Sequence, residues 1–339
     1  MTSEVVRIAT EFKRQLDDMN LSAIKDMTEI YAGTYERLND RVSRLMNEIN
    51  ALPPTLNEEV RLQWVRELEH YQRLRAEVST ELERFRTLAE QRAWALQQEA
   101  VRMAVQNANA LTNASIKGMF KGLPTEAVEY LRGVLGSPEQ RGVLGRLFDT
   151  ITGGEYMAEF ENVLYEGLTQ GMTTKEIAER LTRVWAIPFQ RASVIARTEI
   201  NRAYRNSTRK TYYDSGYVTG YKRMASKAKA CMACLMLDGT IYPVTAPLDD
   251  HPNGACVAVP IVQYGDMPEW ETGKDFFLHL TPQEQSERMG AMYYHFWQED
   301  YFGLDDLIGW SYSPEWGEAP RVVPLETLVP DWRALLSIQ

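Results

Sequence analysis

The chain has 339 residues, 44% of them hydrophobic and 25% charged, with a formal net charge of −10; this is ample for a packed core and long enough for two or three domains. No run approaches the roughly 18 uncharged apolar residues of a transmembrane helix, and the opening Met1-Thr2-Ser3-Glu4-Val5-Val6-Arg7 lacks the basic start and apolar stretch of a signal peptide. Three cysteines, an odd number, argue against a disulfide framework and for a protein made and kept in a reducing cytoplasm.

In chain order, the pattern first predicts a long helix over about 2–50, stopped by Leu52-Pro53-Pro54. Asn57 caps a second helix, with Glu58 and Glu59 near its positive end. Leu68, Tyr71, Val78, Leu82, Phe85, Ala89, Leu96 and Met103 recur at spacings of three, four and seven, the seam of an antiparallel helical hairpin or coiled coil. Arg75 and Arg92 also fall on that seam, which favours an intramolecular hairpin or docking arm over a long dimeric zipper. This arm, residues 1–120, is the first predicted domain.

Lys117-Gly118 through Gly122-Leu123-Pro124 breaks the helical run, and Pro124 suits a first helical turn. Short helices are expected at about 124–135, 138–149 and 155–170. Thr173-Thr174-Lys175-Glu176 reads as a capping box ahead of Ile177, and a long helix is expected from Pro188 to about Gly216. Residues 181–230 carry 11 basic and 2 acidic groups, a local +9. Arg191, Arg202, Arg205, Arg209, Lys210, Lys222 and Arg223 are the candidate contacts of this segment. Three readings stand side by side: DNA phosphates, an acidic neighbour such as the chain's own C-terminal segment, and a solvated face.

All three cysteines lie within 26 residues, with one of the four histidines between them: Cys231-Met232-Ala233-Cys234, then His251, then Cys256. Two thiolates two residues apart can hold one ion from a tight turn, and the 16-residue and four-residue gaps that follow suit zinc. Asp238-Gly239, between Leu235–Leu237 and Ile241–Val244, predicts a type I′ hairpin that returns His251 and Cys256 to the first two cysteines. The expectation is a structural zinc on Cys231, Cys234, His251 and Cys256, closed to water by its four protein ligands. Unmetallated buried thiols and a redox Cys-x-x-Cys are the alternatives.

Residues 257–339 are acidic, with 4 Lys and Arg against 14 Asp and Glu, while residues 1–256 balance at 33 each. The tail is rich in aromatics, from Trp270 to Trp316, and predicts a small lobe packed on the domain with one face left for a partner. Thr281-Pro282 opens a capped helix, and Leu304–Trp310 reads as a second short one. His70, His279 and His295 read as structural. Phosphate-loop glycine motifs and nucleophile triads are absent from the sequence, so a non-enzyme is expected.

Ala196-Arg197-Thr198-Glu199, then Cys231-x-x-Cys234-x-x-x-Asp238-Gly239, then His251-Pro252-Asn253 before a cysteine together resemble the Mu F-like domain of phage head morphogenesis (minor capsid) proteins. That family commonly ends in His-Pro-x-Cys-x-Cys. Here Gly254 stands in place of the first of those cysteines and only Cys256 remains, leaving four candidate ligands. Thr272-Gly273-Lys274-Asp275 and Leu304-Asp305-Asp306-Leu307 also resemble C-terminal segments of phage minor head proteins. Arg197 and Glu199 would organise the helix beneath the metal module.

The expected fold is mainly α with a small zinc-stapled β-hairpin, of α+β class. It comprises the helical arm (1–120), a Mu F-like domain with the Cys/His hairpin (121–260) and an acidic aromatic lobe (261–339). The resemblance implies a minor capsid protein of the procapsid interior and virion, reached through the host cytoplasm during assembly. Its implied partners are the portal protein and scaffolding or major capsid protein, with DNA secondary and no membrane, and its implied part is in DNA packaging or ejection. Two alternatives belong to other classes: a metal-dependent hydrolase, nuclease or effector, and a DNA-binding protein acting through residues 181–230.

Overall fold

The structure is a computed structural model that describes residues 4–50, 69–116, 143–152, 154–169, 172 and 174–336. The predicted stop at Leu52-Pro53-Pro54, the Asn57 cap, Leu68, the break at 117–124, the helix at 124–135 and the Thr173 cap lie outside these residues. Among the described residues no helix is long and apolar enough to cross a membrane. The chain is mainly helical with small antiparallel sheets. It divides into two compact units, with the boundaries after residues 18, 96 and 199 falling inside long helices: residues 1–18, 97–134 and 200–339 in one, 19–96 and 135–199 in the other.

The second of these units is all helix. It takes parts of α1 (Glu4–Asn50), α2 (Glu69–Ser115) and α5 (Thr174–Ser215), with α3 (Val143–Asp149) and α4 (Gly154–Thr169) between them. Its core joins Leu38 and Val42 of α1, Leu74, Val78 and Leu82 of α2, Phe160 and Val163 of α4, and Ile177, Leu181 and Trp185 of α5. Arg37 and Arg41 both reach Glu81, which ties α1 to α2 beside the apolar contact. The α2 stripe runs Leu74, Val78, Leu82, Phe85, Ala89, Ala93, Leu96, all buried. Arg75 and Arg92 stand outside it and are exposed, which corrects their placement on the seam. The stripe steps by four more often than a heptad does, because a straight helix turns every 3.6 residues.

The predicted start of a helix at Pro188 is also corrected, since Pro188 lies inside α5. Proline removes one i→i−4 hydrogen bond, and the flanking Trp185, Ala192 and Ile195 are buried, so tertiary packing outweighs that loss.

The other unit holds the sheets. β1 (Val218–Met224) is the centre of a three-stranded antiparallel sheet, with β2 (Ile241–Pro243) on one side and β3 (Val257–Val262) on the other. Between β1 and β2 lies α6 (Met232–Met236). Tyr221 pairs with Tyr242 and Pro260, and Met224 with Val257. Gly220 is required where the strands meet, because a Cβ there would stand 2.7 Å from the Tyr242 carbonyl oxygen. Tyr212 of α5 and Tyr221 of β1 are buried in one cluster with Ala108, Leu248, Ala258 and Val262. Their hydroxyls donate to the carbonyls of Ala258 and Ala246, so neither burial leaves a polar atom unmatched.

The hairpin predicted at Asp238-Gly239 does not form, since Leu235 and Met236 lie in α6 rather than in a strand. The turn instead docks on β1: Gly239 N–H donates to the Arg223 carbonyl and Arg223 N–H to the Thr240 carbonyl, both at 2.8 Å. Gly239 has φ +91°, the part of the prediction that holds. Asp238 has no positive φ, and its side chain accepts from Ala225 N–H at 2.7 Å and Trp270 Nε1–H at 3.1 Å.

The acidic tail packs in this same unit as α7 (Gly273–His279), α8 (Pro282–Met289), α9 (Ala291–Gln298), a two-stranded ribbon of β4 (Ile308–Ser313) and β5 (Gly317–Val322), and short helices α10 (Leu325–Leu328) and α11 (Trp332–Leu336). Phe277, Phe296, Phe302 and Leu307 are buried with Met232, Leu235 and Met236 of α6. Thr272 and Thr281 each close a capping box, the latter with Pro282 in the first turn. The helix predicted over 304–310 ends after one 3-10 turn, Leu304–Leu307, and continues as β4.

Candidate metal centre

Cys231 is the N-cap of α6, with ψ 164°, and its sulfur accepts from the Cys234 N–H at 3.5 Å. A helix N-terminus turns both thiols of a Cys-x-x-Cys toward one point, so the start of α6 supplies the tight turn expected at Cys231–Cys234. His251 Nε2 lies 3.4 Å from Cys231 Sγ, and Nδ1 lies 2.8 Å from the Pro252 carbonyl oxygen. A carbonyl only accepts, so Nδ1 carries a proton and Nε2 is the nitrogen directed at the cysteines.

The ligand atoms of Cys231, Cys234 and His251 lie within 4.8 Å of one another, and so do those of Cys234, Asp250 and Cys256. The four predicted ligands therefore fall into two overlapping groups that share Cys234, not one. For a tetrahedral zinc, bond lengths of about 2.3 Å to sulfur and 2.0–2.1 Å to nitrogen put neighbouring ligand atoms roughly 3.6 Å apart. The Cys231–His251 separation of 3.4 Å is close to this. Cys234 and Cys256 are buried, while Cys231 and His251 are half-buried and form the outer lip.

Three residues were not expected here. Asp250 accepts from His251 N–H and Cys256 N–H, each at 3.1 Å, and from Arg223 Nη2 at 3.1 Å. Arg205 Nη1 stands 3.6 Å from its second oxygen. Arg223 Nη2 also lies 3.3 Å from Cys234 Sγ and 3.2 Å from Cys256 Sγ, and Nη1 donates to the Asp249 carbonyl at 3.0 Å. Arg223 is fully buried. The loop is fixed to α5 by Asn201 and Arg205, which both donate to the Gly254 carbonyl at 3.0 Å, and to α1 by Lys13, which donates to the Ala255 carbonyl at 2.6 Å.

The charges follow from these contacts. The hydrogen bond with Cys234 brings the Cys231 thiol down to about 4, and its bond with Cys231 raises His251 to about 9. Hydrogen bonds with Cys231 and Cys256 push the Cys234 thiol up, whereas the Cys234 hydrogen bond and Arg223 bring Cys256 down. Burial would raise Asp250, but Arg205 and Arg223 hold it at about 2.

The seven basic candidates outside the ligand set each have a partner in the protein. Arg191 meets Thr150 at 3.4 Å, Arg202 donates to the Trp316 carbonyl at 2.8 Å, and Arg209 donates to the Thr245 carbonyl at 3.2 Å. Lys210 pairs with Asp214, and Lys222 donates to the Pro268 carbonyl while lying 4.4 Å from the Trp270 ring. Arg205 and Arg223 belong to the Cys/His site. On α5, Glu199 is buried at 2% exposure. His279 is exposed and pairs with Glu271 at 3.0 Å.

The sequence carried one signal for Arg223. It alternates with Tyr221 on β1, and the period of two puts both on the buried face. Asp250 had none beyond its place next to His251.

Residues 158–259, from α4 to the start of β3, match the family model described as Phage Mu protein F like protein. The match takes in Ala196–Glu199 and all four cysteine and histidine candidates. No curated protein and no solved structure matches the chain.

Proposed function

We propose that this Mu F-like chain is a minor structural protein of a phage head, acting in head morphogenesis at the portal vertex, inside the procapsid, and assisting DNA packaging or ejection. The observation that carries the reading is the family match over 158–259, the segment that holds the two adjoining groups sharing Cys234. The portal protein is the proposed partner, with scaffolding or major capsid protein as further contacts.

Within this reading the Cys/His site holds a structural zinc through Cys231, Cys234, His251 and Cys256. The donor chemistry suits zinc: Cys231, Cys234 and His251 already lie together, with Nε2 facing Cys231 and the far nitrogen fixed by Pro252, and Cys256 would close on the ion from the group that shares Cys234. Bound zinc would act as a cross-link between the start of α6 and the 250–256 loop. The protein's own groups do the rest. Asp250 orders the loop through two backbone N–H groups, and Asn201 and Arg205 seat it on α5. Four protein ligands leave no open position for a substrate, which favours a structural role over hydrolysis.

Quantitative mass spectrometry of purified procapsids and mature heads tests the reading. The chain should be present in procapsids before DNA enters, in far fewer copies than the shell protein. Its absence from both particles would remove the structural role and return attention to a hydrolase or effector activity.

A further inference from the structure

We propose that Arg223 is the built-in counter-cation of the metal centre, holding the Cys234 and Cys256 sulfurs by N–H···S hydrogen bonds and setting how tightly the ion is bound. The proposal rests on the zinc reading given above. It assigns Asp250 to the outer layer as the anion that orients Arg223 and the loop, not to the ligand set.

The first argument is geometric. A single nitrogen, Nη2 of Arg223, faces three acceptors: Cys256 Sγ at 3.2 Å, Cys234 Sγ at 3.3 Å and Asp250 Oδ1 at 3.1 Å. It has only two protons to donate. That crowding is what an anionic cluster around a fixed cation produces. Asp250 meanwhile has both oxygens engaged, one by His251 N–H, Arg223 and the Cys234 thiol at 3.3 Å, the other by Cys256 N–H, with Arg205 beside it. Leaving that net to bind an ion would strand two backbone N–H groups in a buried place.

The second argument is charge. Zinc with three thiolates and a neutral imidazole carries one net negative charge, and Asp250 adds another. Arg205 and Arg223, each 6% exposed or less, add two positive charges. With all three cysteines as thiolates and Asp250 ionised the buried assembly is neutral, and Arg223 and Arg205 supply the two positive charges that balance it.

The test uses the full-length protein and two variants, Arg223→Lys and Arg223→Gln. Zinc retention is read by competition with a chelating dye. Cobalt(II) substitution gives a second reading, because the thiolate-to-cobalt band reports the electron density at sulfur. In Arg223→Gln, zinc should be released roughly tenfold or more readily, the usual effect of removing an outer partner. In both variants the cobalt band should move to longer wavelength as sulfur loses its donors, less so in Arg223→Lys. If Arg223→Gln does not fold, the band in Arg223→Lys carries the reading alone. Zinc affinity and band position unchanged in the folded variants would overturn the proposal while leaving the zinc site standing. A wild-type protein purified without zinc and unable to take up cobalt would overturn both.

Discussion

A side chain at Gly254 would begin 2.2 Å from the carboxylate carbon of Asp250. The space that a cysteine at this position would need is filled by the carboxylate that orders the loop, which explains why residue 254 offers no fifth ligand. Gly254→Ala should therefore destabilise the protein by about 1–3 kcal/mol, the range for overpacking a filled interior. A denaturant midpoint that does not move would show that the loop yields without cost.

Removing a ligand should behave like removing the ion. Cys234 belongs to both ligand groups, so Cys234→Ala should abolish metal binding and lower the melting temperature. A strong chelator should lower the melting temperature of the wild type and leave the variant unchanged. Metal analysis finding no zinc in the wild type, with equal stability of the two proteins, would end the structural-zinc reading.

In the all-helical unit, Phe160 is 1% exposed and stacks on Trp185 with ring centroids 6.0 Å apart. Truncating it leaves a cavity among α1, α2, α4 and α5 side chains. Phe160→Ala should cost about 3–5 kcal/mol, and equilibrium unfolding in urea measures it. A cost below about 1 kcal/mol would mean the neighbours collapse into the space.

Acid should loosen α7 and α8 at their first turns. Asp275 and Glu284 are held below the usual carboxylate range by hydrogen bonds from Thr272 and Thr281. A depressed folded-state value means stability that is present above the unfolded value and lost as pH falls through the folded one. Amide protection factors at residues 272–289, exchange corrected for its intrinsic pH dependence, should fall below about pH 4, and Thr281→Ala should remove that fall in α8. A protection factor in α8 that still falls with acid in the variant would assign the effect to another group.

Much of this was readable beforehand where the physics is local. Thr281-Pro282 announced its helix because a capping hydroxyl and a proline need only their own turn. That Cys231, Cys234 and His251 lie close together was legible from spacing; Cys256 stands instead with Cys234 and Asp250, a partner the spacing did not announce. The hairpin at Asp238-Gly239 failed for a non-local reason: β1 offered better partners for Gly239 and Thr240 than a strand at 235–237 could. Arg223 was misread because an arginine is ordinarily a surface residue. Only its buried counter-ions, contributed from residues 11 to 33 positions away, make its place inside the protein tolerable.

The pairing of β1 with β3 has a mechanical consequence. Val218 faces Val262 at one end of the ladder and Met224 faces Val257 at the other, next to the Cys/His loop. A pull applied where the chain enters β1 and leaves β3 would open the ladder like a zipper, one pair after another, starting at the end far from the cysteines. Of residues 225–256, the β2 stretch shares β1 as its partner at Gly220–Lys222, and the Cys/His loop lies beyond the last pair of the ladder, Met224–Val257. Under such a load the Val218 end of the ladder parts first and the end beside the Cys/His loop last.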